Sequence, residues 1–476
     1  MIIARKEEQA ILRNAYESEY SELIAIYGRR RVGKTFLVRE TFDYTFTFQH
    51  AGVYMKNKKG RLKAQMFAFC ASLKEAGMKV TEMPGDWFEA FELLKDLIRQ
   101  SKDKRKVIFI DELSWMDARG GELIPAFENF WNNWASNRKD ILLIVCASAA
   151  NWMIKKIIHN KGGLYNRLSA EIDLRQFNLK ECEEFSKAMH LPFGREQILE
   201  CYMIMGGVPY YWKQLDRSKS LSQNINRLFF AENAKLKEEF DYLFDSLYDA
   251  PEEYVRVITA LGTKRMGLTR NEIIEAIGKN NGGGLSAILK DLENAHFIRE
   301  YTAYGKKSKD SLYQLMDSFI LFWFRFKMDK SVSETLWTEN INTPARNTWN
   351  GYAFERTCLL HIPQIKFKLG ISGVRTNVYS WHCAADEEKG IVGAQIDLVI
   401  ERADNIINLC EEKYSGVEYA IDAAYEKTLL QKIDSFIKDT GTKKPVQLTL
   451  VTANGLKHNS HSDIVHAEVV ADDLFT

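Results

Sequence analysis

The chain has almost no net charge. Its 65 Lys and Arg stand against 64 Asp and Glu, a formal +1 at pH 7. No overall field draws it to nucleic acid or to a membrane surface, and any such surface has to be local. A Cys-x-x-Cys pair is missing. The 7 cysteines are scattered, which argues against a disulfide framework or a zinc ribbon and fits reduced thiols in a cytoplasmic protein. No apolar run is long enough to cross a bilayer; the most apolar stretch, 141–154, is broken by Ser148 and Asn151. The N-terminus turns charged at Arg5-Lys6-Glu7-Glu8 and does not read as a signal peptide. No membrane partner is expected. Internal repeats, low-complexity tracts and a guanine-reading motif are also lacking. What remains is an ordinary globular composition over 476 residues, enough for about three domains.

One stretch organises the rest. Gly28-Arg29-Arg30-Arg31-Val32-Gly33-Lys34-Thr35 satisfies G-x-x-x-x-G-K-[ST] at every fixed position. The apolar run Leu23 to Tyr27 precedes it as a buried parallel strand would, and Phe36 to Glu40 can open a helix. Glycines let such a loop turn its backbone N–H groups toward phosphate, and the helix N-terminus adds partial positive charge. Lys34 is expected on the β- and γ-phosphates of a nucleotide, and the Thr35 hydroxyl on Mg²⁺.

The chain around it reads as a nucleotide domain. Helices are expected over 5–20, 60–77 and 87–101, with a turn at Pro84-Gly85 and a strand over 44–50. Val107-Ile108-Phe109-Ile110-Asp111-Glu112 is an apolar strand ending in two carboxylates, the Walker B pattern. Asp111 would serve Mg²⁺ and Glu112 the attacking water. A second apolar strand, 141–148, ends in Ser148; Ser148 or Asn151 fits a γ-phosphate sensor. Arg167, after Gly162-Gly163-Leu164-Tyr165-Asn166, is a candidate arginine finger, in cis or across a subunit interface.

Taken together, the phosphate loop, Phe-Ile-Asp-Glu, the strand ending Cys-Ala-Ser, Leu-Tyr-Asn-Arg and Gly206-Gly207-Val208-Pro209-Tyr210-Tyr211 resemble the archaeal-type ATPase family, a P-loop branch near AAA+ and STAND proteins. The resemblance covers about residues 1–245. It implies ATP and Mg²⁺ as ligands and a helical lid over 178–245, with 206–211 as a lid turn near the nucleotide base. Ala147 stands where such relatives often carry Gly, and Arg167-Leu168 where they carry two basic residues.

The middle of the chain, 246–330, spells a winged helix. A helix runs from Pro251 through Leu261, and Thr269-Arg270-Asn271-Glu272 fits a capping box. After a turn over 280–284 comes a third amphipathic helix over 285–295. Strands 297–301 and 312–315 then flank a lysine-rich tip at Gly305-Lys306-Lys307-Ser308-Lys309. Either DNA contact through the third helix and the tip, or protein contact, fits this pattern. The aromatic stretch 317–327 reads as a buried connecting helix.

Residues 331–476 have the look of a restriction-endonuclease-like α/β domain. Trp349 to Glu355 opens a helix carrying Glu355. Ala394 to Ile400 carries Asp397, and Ile406 to Lys413 ends Glu411-x-Lys413; a hairpin through 401–405 joins the two strands, and a helix follows over 425–438. Side-chain alternation puts Glu411 and Lys413 on one face, where Asp397 would join them. The pattern resembles the PD-(D/E)xK nuclease superfamily and the C-terminal domain that commonly follows archaeal-type ATPases. The resemblance implies Glu355, Asp397 and Glu411 on a metal and Asp397, Glu411 and Lys413 in catalysis. An inactive version of that fold is the other reading, and Cys358/His361 with His382/Cys383 is a zinc alternative.

The chain is thus expected to be a multidomain α/β protein: ATPase core 1–177, lid 178–245, winged helix 246–330, nuclease-like domain 331–476. It would couple Mg²⁺-dependent ATP hydrolysis to that last domain on DNA. The alternative is a STAND-like nucleotide switch whose C-terminal half is a catalytically inactive protein- or DNA-binding module; a homo-oligomer or a partner protein fits either reading. A DNA-binding regulator without catalysis is a third reading.

Overall fold

The computed structural model describes residues 2–56, 59–245, 247–248, 250–278, 283–306, 310–326 and 332–476. Its N-terminal elements are α1 (Lys6–Glu17), β1 (Glu22–Tyr27), α2 (Lys34–Thr41), β2 (Phe48–Ala51), α3 (Arg61–Glu75), α4 (Trp87–Gln100), β3 (Lys106–Asp111), α5 (Leu113–Met116), α6 (Leu123–Asn133), β4 (Ile141–Ala147), α7 (Ala150–Met153) and β5 (Ala170–Asp173). The five strands pair in parallel in the order β2-β3-β4-β1-β5. Every residue of β3 and β4 is buried, as strands covered on both faces must be. Phe69, Trp87, Phe91, Phe127 and Phe130 pack on one face of the sheet; Leu12, Leu37 and Val38 cover the other. The second strand begins four residues later than its alternating pattern suggests. Asp43 and Tyr44 have φ of 49° and 58°, so the chain turns there instead of extending.

The next helices are α8 (Leu179–Ala188), α9 (Arg195–Met205), α10 (Pro209–Trp212), α11 (Leu221–Ile225) and α12 (Glu239–Asp245). Then come α13 (Pro251–Gly262), β6 (Leu268–Thr269), α14 (Arg270–Ile277), α15 (Gly283–Asn294), β7 (Ile298–Tyr301) and β8 (Leu312–Leu315). The Thr269/Glu272 capping box forms. β6, β8 and β7 make an antiparallel sheet in that order. Lys307 to Lys309 of the tip and 280–282 of the turn lie outside the described residues.

The remainder comprises α16 (Ser318–Phe326), α17 (Leu336–Glu339), α18 (Pro344–Leu360), α19 (Ile362–Lys368), β9 (Thr376–Cys383), β10 (Ala394–Arg402), β11 (Ile407–Lys413), β12 (Tyr419–Ala420), α20 (Ala423–Thr440), β13 (Val446–Thr452), β14 (Leu456–Lys457) and β15 (Ala467–Val470). A mixed sheet runs β15-β13-β11-β10-β9. The aromatic helix α16 is buried: Phe322 meets Phe229, Trp337 and Trp349 at ring distances of 5.0, 5.1 and 5.5 Å.

Two compact units emerge, each drawn from separate stretches. One holds residues 1–176, 241–254 and 284–296; the other holds 177–240, 255–283 and 297–476. Within the second, Gly207 has its backbone against Phe177. A Cβ there would meet the Phe177 carbonyl oxygen at 1.9 Å, so only glycine fits. Also within this unit, His361 is fully buried. One ring nitrogen lies 2.8 Å from the Thr357 carbonyl, and the other, Nε2, accepts the Leu179 N–H at 3.0 Å. This fixes the neutral tautomer with the proton on Nδ1. Burial lowers its pKa to about 4, against the opposing pull of Thr357.

That depression sets a pH window. Above about pH 6.5 the ring is neutral whether the chain is folded or not. Between that value and about 4 the unfolded chain takes up a proton that the folded chain refuses, so stability falls as the pH drops. The loss approaches roughly 3 kcal/mol from this residue. Thermal unfolding followed from pH 7.5 to 4.5 should show a shallower acid decline in His361→Gln than in the wild type. An identical decline would reject the assignment.

Candidate functional site

The phosphate loop leaves β1 at Gly28, whose φ is 145°. A methyl group on it would sit 2.2 Å from the Leu174 carbonyl oxygen; β1 and the segment after β5 approach too closely for any side chain. Gly33 caps α2 with φ 97°. Lys34 is buried and turned into its own loop. Its Nζ donates to the carbonyls of Gly28 at 2.8 Å and Arg29 at 3.1 Å, and to Ser148 Oγ at 3.0 Å. Burial pulls its pKa below the usual lysine range, against the attraction of Glu112 and Asp111. The ammonium thus bonds the carbonyls of its own loop, whose positive partner it would become for phosphate oxygens.

Because β4 lies between β1 and β3, Ser148 at its end is flanked by the phosphate loop and the two acids. Thr35 Oγ1 donates to Asp111 Oδ2 at 2.6 Å. The Asp111 carboxyl is pushed above its usual range by burial and by Glu112, with Thr35 and Lys34 opposing. A hydroxyl and a carboxylate in contact, both hard oxygen donors, suit Mg²⁺, which takes one or two protein oxygens beside substrate phosphates and water. Glu112 stands in the left-handed region, φ 47°, a local strain of the kind found at functional positions. Its carboxylate accepts the Ser148 N–H at 2.9 Å and the Ser148 hydroxyl. Lys34, Thr35, Asp111, Glu112 and Ser148 therefore form one connected polar cluster on the C-terminal edge of the sheet, where parallel α/β sheets bind ligands.

Other expected residues are placed differently. Asn151 does not face the cluster. Its amide donates to Asp291 on α15 and accepts from Asn294 Nδ2 at 3.0 Å; Tyr254 Oη also donates to Asp291. Arg167 is exposed in the turn before β5. The Ser169 N–H bonds the Leu23 carbonyl, which sets this turn level with the start of β1. The phosphate loop follows the far end of that six-residue strand, roughly 20 Å away at ~3.3 Å per residue. Arg167 therefore lies toward the strand end opposite its own phosphate loop.

In the C-terminal sheet Glu411 meets Lys413 as expected, while Asp397 and Glu355 have other partners. A register shift between Ile396 and Val399 on β10 is a β-bulge, and bulges re-aim side chains. Ile396, Leu409 and Glu411 share one face with Leu429, Lys432 and Ile433 of α20. Asp397 bonds Gln395 at 2.6 Å, and its charge acts on Glu412, Arg299 and Tyr301 instead. Glu411 is held by Lys432 at 2.8 Å, Lys413 at 3.0 Å and Tyr425 Oη at 2.7 Å. Burial alone would raise its pKa, but Lys432 and Lys413 bring it below the usual range. Glu355 pairs with Arg265. Arg299, lowered to about 10 by burial and by Arg356, brings a guanidinium close to Asp397 and Glu412. Burial, then Asp397 and Glu411, push the Glu412 carboxyl well above its usual range. Glu355, Asp397 and Glu411 are thus each bound by different side chains. Among the described residues no group of three His, Cys, Asp or Glu converges as a metal site. The zinc alternative fails at His361, both of whose ring nitrogens are engaged.

Lys432 and Tyr425 were missed as Glu411 partners, although they lie two turns apart on α20 and hence on one helical face. No sequence signal pointed to the Asn151–Asp291 pair.

Residues 3–215 match the family described as an ATPase domain predominantly from Archaea. The matched stretch, built on a parallel sheet with a phosphate loop after β1, is thus similar to an archaeal-type ATPase domain, and that similarity supports nucleotide binding and hydrolysis. Along more of its length the chain is similar to the uncharacterized protein MJECL04 of Methanocaldococcus jannaschii, 27% identical over 365 residues, which is 75% of this chain and 76% of that one. Among solved structures, the Walker-type ATPase PABY2304 of Pyrococcus abyssi aligns with 68% of this chain and 96% of its own at 17% identity and TM-score 0.47. The ORC2 protein of Aeropyrum pernix, in ADPNP–ADP complexes, aligns with 72% and 96% at 12% identity and TM-score 0.40. Among the described residues no helix is long and apolar enough to cross a membrane.

Proposed function

We propose that the chain is an ATP-driven switch whose C-terminal α/β module makes contacts and does not cut nucleic acid. The observation that carries the first half is the single cluster formed by Lys34, Thr35, Asp111, Glu112 and Ser148. In this reading Lys34 and the loop N–H groups bind the β- and γ-phosphates, and Glu112 orients the attacking water. Ser148 reports on the γ-phosphate. Thr35 and Asp111 would hold Mg²⁺, which when bound would supply positive charge to the phosphates. Arg167, exposed and far from its own loop, serves a neighbouring copy; turnover per chain should then rise with concentration, and Arg167→Ala should remove that rise.

The second half rests on Glu411 and Asp397. Glu411 is bound by Lys432, Lys413 and Tyr425 and Asp397 by Gln395, and among the described residues no three potential metal ligands converge, which speaks against a catalytic metal there. The winged-helix reading of 246–330 fits a contact module better than a groove reader. On α15, Asp291 is spent on Asn151 and Tyr254, and Lys290 is paired with Glu293 at 2.9 Å.

The test pairs phosphate release with plasmid nicking, in Mg²⁺ or Mn²⁺, with and without ATP, beside Glu411→Ala/Lys413→Ala. ATP should be hydrolysed and the plasmid should stay intact. Nicking by the wild type that disappears in the double variant would overturn the non-cleaving reading. Absence of phosphate release would overturn the ATPase reading.

A further inference from the structure

Both strands that deliver the catalytic cluster continue into the wall of a second feature. After Glu112, β3 leads to Ser114 and Trp115; after Ser148, β4 leads to Asn151, Trp152, Lys155 and Lys156. These residues line a cleft of about 430 Å³ in the ATPase unit, closed on other sides by Tyr54, Arg61 and the segment around Tyr254. That volume is in the range of ligand sites, roughly 300–1,000 Å³.

The polar groups of the cleft separate by sign. Its acids are all engaged by its own wall. Asp117 accepts the Trp152 indole N–H at 2.9 Å, Asp245 pairs with Lys56 at 3.2 Å, and Asp291 is bound by Asn151 and Tyr254. The remaining cations are not so engaged. Lys155 and Lys156 are exposed, and neither makes an ion pair among the described residues. Among the described residues the buried Nε of Arg61 has no hydrogen-bond partner, and its guanidinium donates one long bond, 3.4 Å, to the Met55 carbonyl. Beside them stand aromatic rings. Tyr54 is 41% exposed and lies 5.5 Å from the Trp115 ring.

Uncommitted cations beside open aromatic faces are what a single nucleic-acid strand requires. The cations track its phosphates, and the rings stack on its bases without regard to sequence. An acidic phosphorylated peptide would use the cations and leave the rings idle. We infer that this cleft binds a short stretch of single-stranded nucleic acid, next to the residues that hold Glu112. The inference rests on the switch reading above and gives that switch its partner. A strand seated against Trp115 and Trp152 touches the first residues after both catalytic strands, so occupancy and phosphate state share one wall.

The experiment is fluorescence anisotropy of a labelled oligothymidylate of about twenty nucleotides with the full chain, at low and at physiological salt. Lys155→Glu/Lys156→Glu should weaken binding at least ~10-fold and flatten its salt dependence. Trp115→Ala should weaken it about 5–100-fold, with Trp115→Tyr close to wild type. ADP affinity, measured without DNA, should be unchanged in all three. Wild-type affinity in both the charge-reversed and the Ala variant overturns the cleft assignment and leaves the ATPase reading intact. So does tighter binding of a phosphorylated acidic peptide than of the oligonucleotide, or no oligonucleotide binding at all. Loss of ADP binding in the wild type would instead strike the reading beneath it.

Discussion

Lys34→Ala should lower ATP hydrolysis by about 10²–10³-fold, the usual consequence of removing one positioned donor from developing charge, with the fold retained. The side chain is buried and bonded to two carbonyls of its own loop and to Ser148. The variant removes those bonds without inserting a charge or a bulk the loop must accommodate. Carbonyls left without a donor cost about 1–3 kcal/mol each when dry, and a shortened side chain admits water to them. Melting should therefore move by a few degrees while turnover collapses. Phosphate release beside a thermal melt reads both. Turnover near wild type would remove the phosphate-loop assignment, and a collapsed melt would make the loss of rate uninformative.

Glu112→Gln should separate binding from hydrolysis. Turnover should fall about 10²–10⁴-fold, the span for loss of a positioned base, while ATP affinity stays within a few-fold. The structure gives this residue two hydrogen bonds from one neighbour, the N–H and hydroxyl of Ser148. A glutamine has one acceptor oxygen for two donors, so its amide must turn its NH₂ toward one of them or give up a bond. Ser148→Ala acts from the other side: it frees the Glu112 carboxylate of one donor and takes from Lys34 its side-chain acceptor. Single-turnover rates and equilibrium ATP binding for both variants decide the roles. If Glu112→Gln hydrolyses ATP at the wild-type rate, the base lies elsewhere.

Much of the ATPase half could be read from residue order because its chemistry is local. Glycines at 28 and 33, an apolar run before and a helix after already constrain the backbone, and Asp111-Glu112 at a strand end does the same. Capping boxes such as Thr269/Glu272 are equally local. The C-terminal half was less legible, for a definite reason. Placing Asp397 with Glu411 assumes an unbroken alternation along β10. One extra residue in the ladder between Ile396 and Val399 reverses the side on which an acid emerges, and bulges depend on both neighbouring strands. Glu411's partner Lys432 comes from a helix whose docking angle no strand pattern encodes. His361 could not be separated from a metal ligand by type or spacing; the Leu179 amide that occupies it is 182 residues away in the chain.

The interleaving of the two compact units has a practical side. The polypeptide passes from one to the other five times, after residues 176, 240, 254, 283 and 296. A fragment ending near residue 215, where the family match stops, would lack two returning segments of the ATPase unit, among them the α15 residues that hold Asn151. Biochemistry on such a fragment would describe a sheet stripped of part of its own wall. The same threading bears on force transmission. A domain strung on a single tether can ignore its neighbour's strain, whereas here a displacement begun at the phosphate loop has five covalent routes by which to pull.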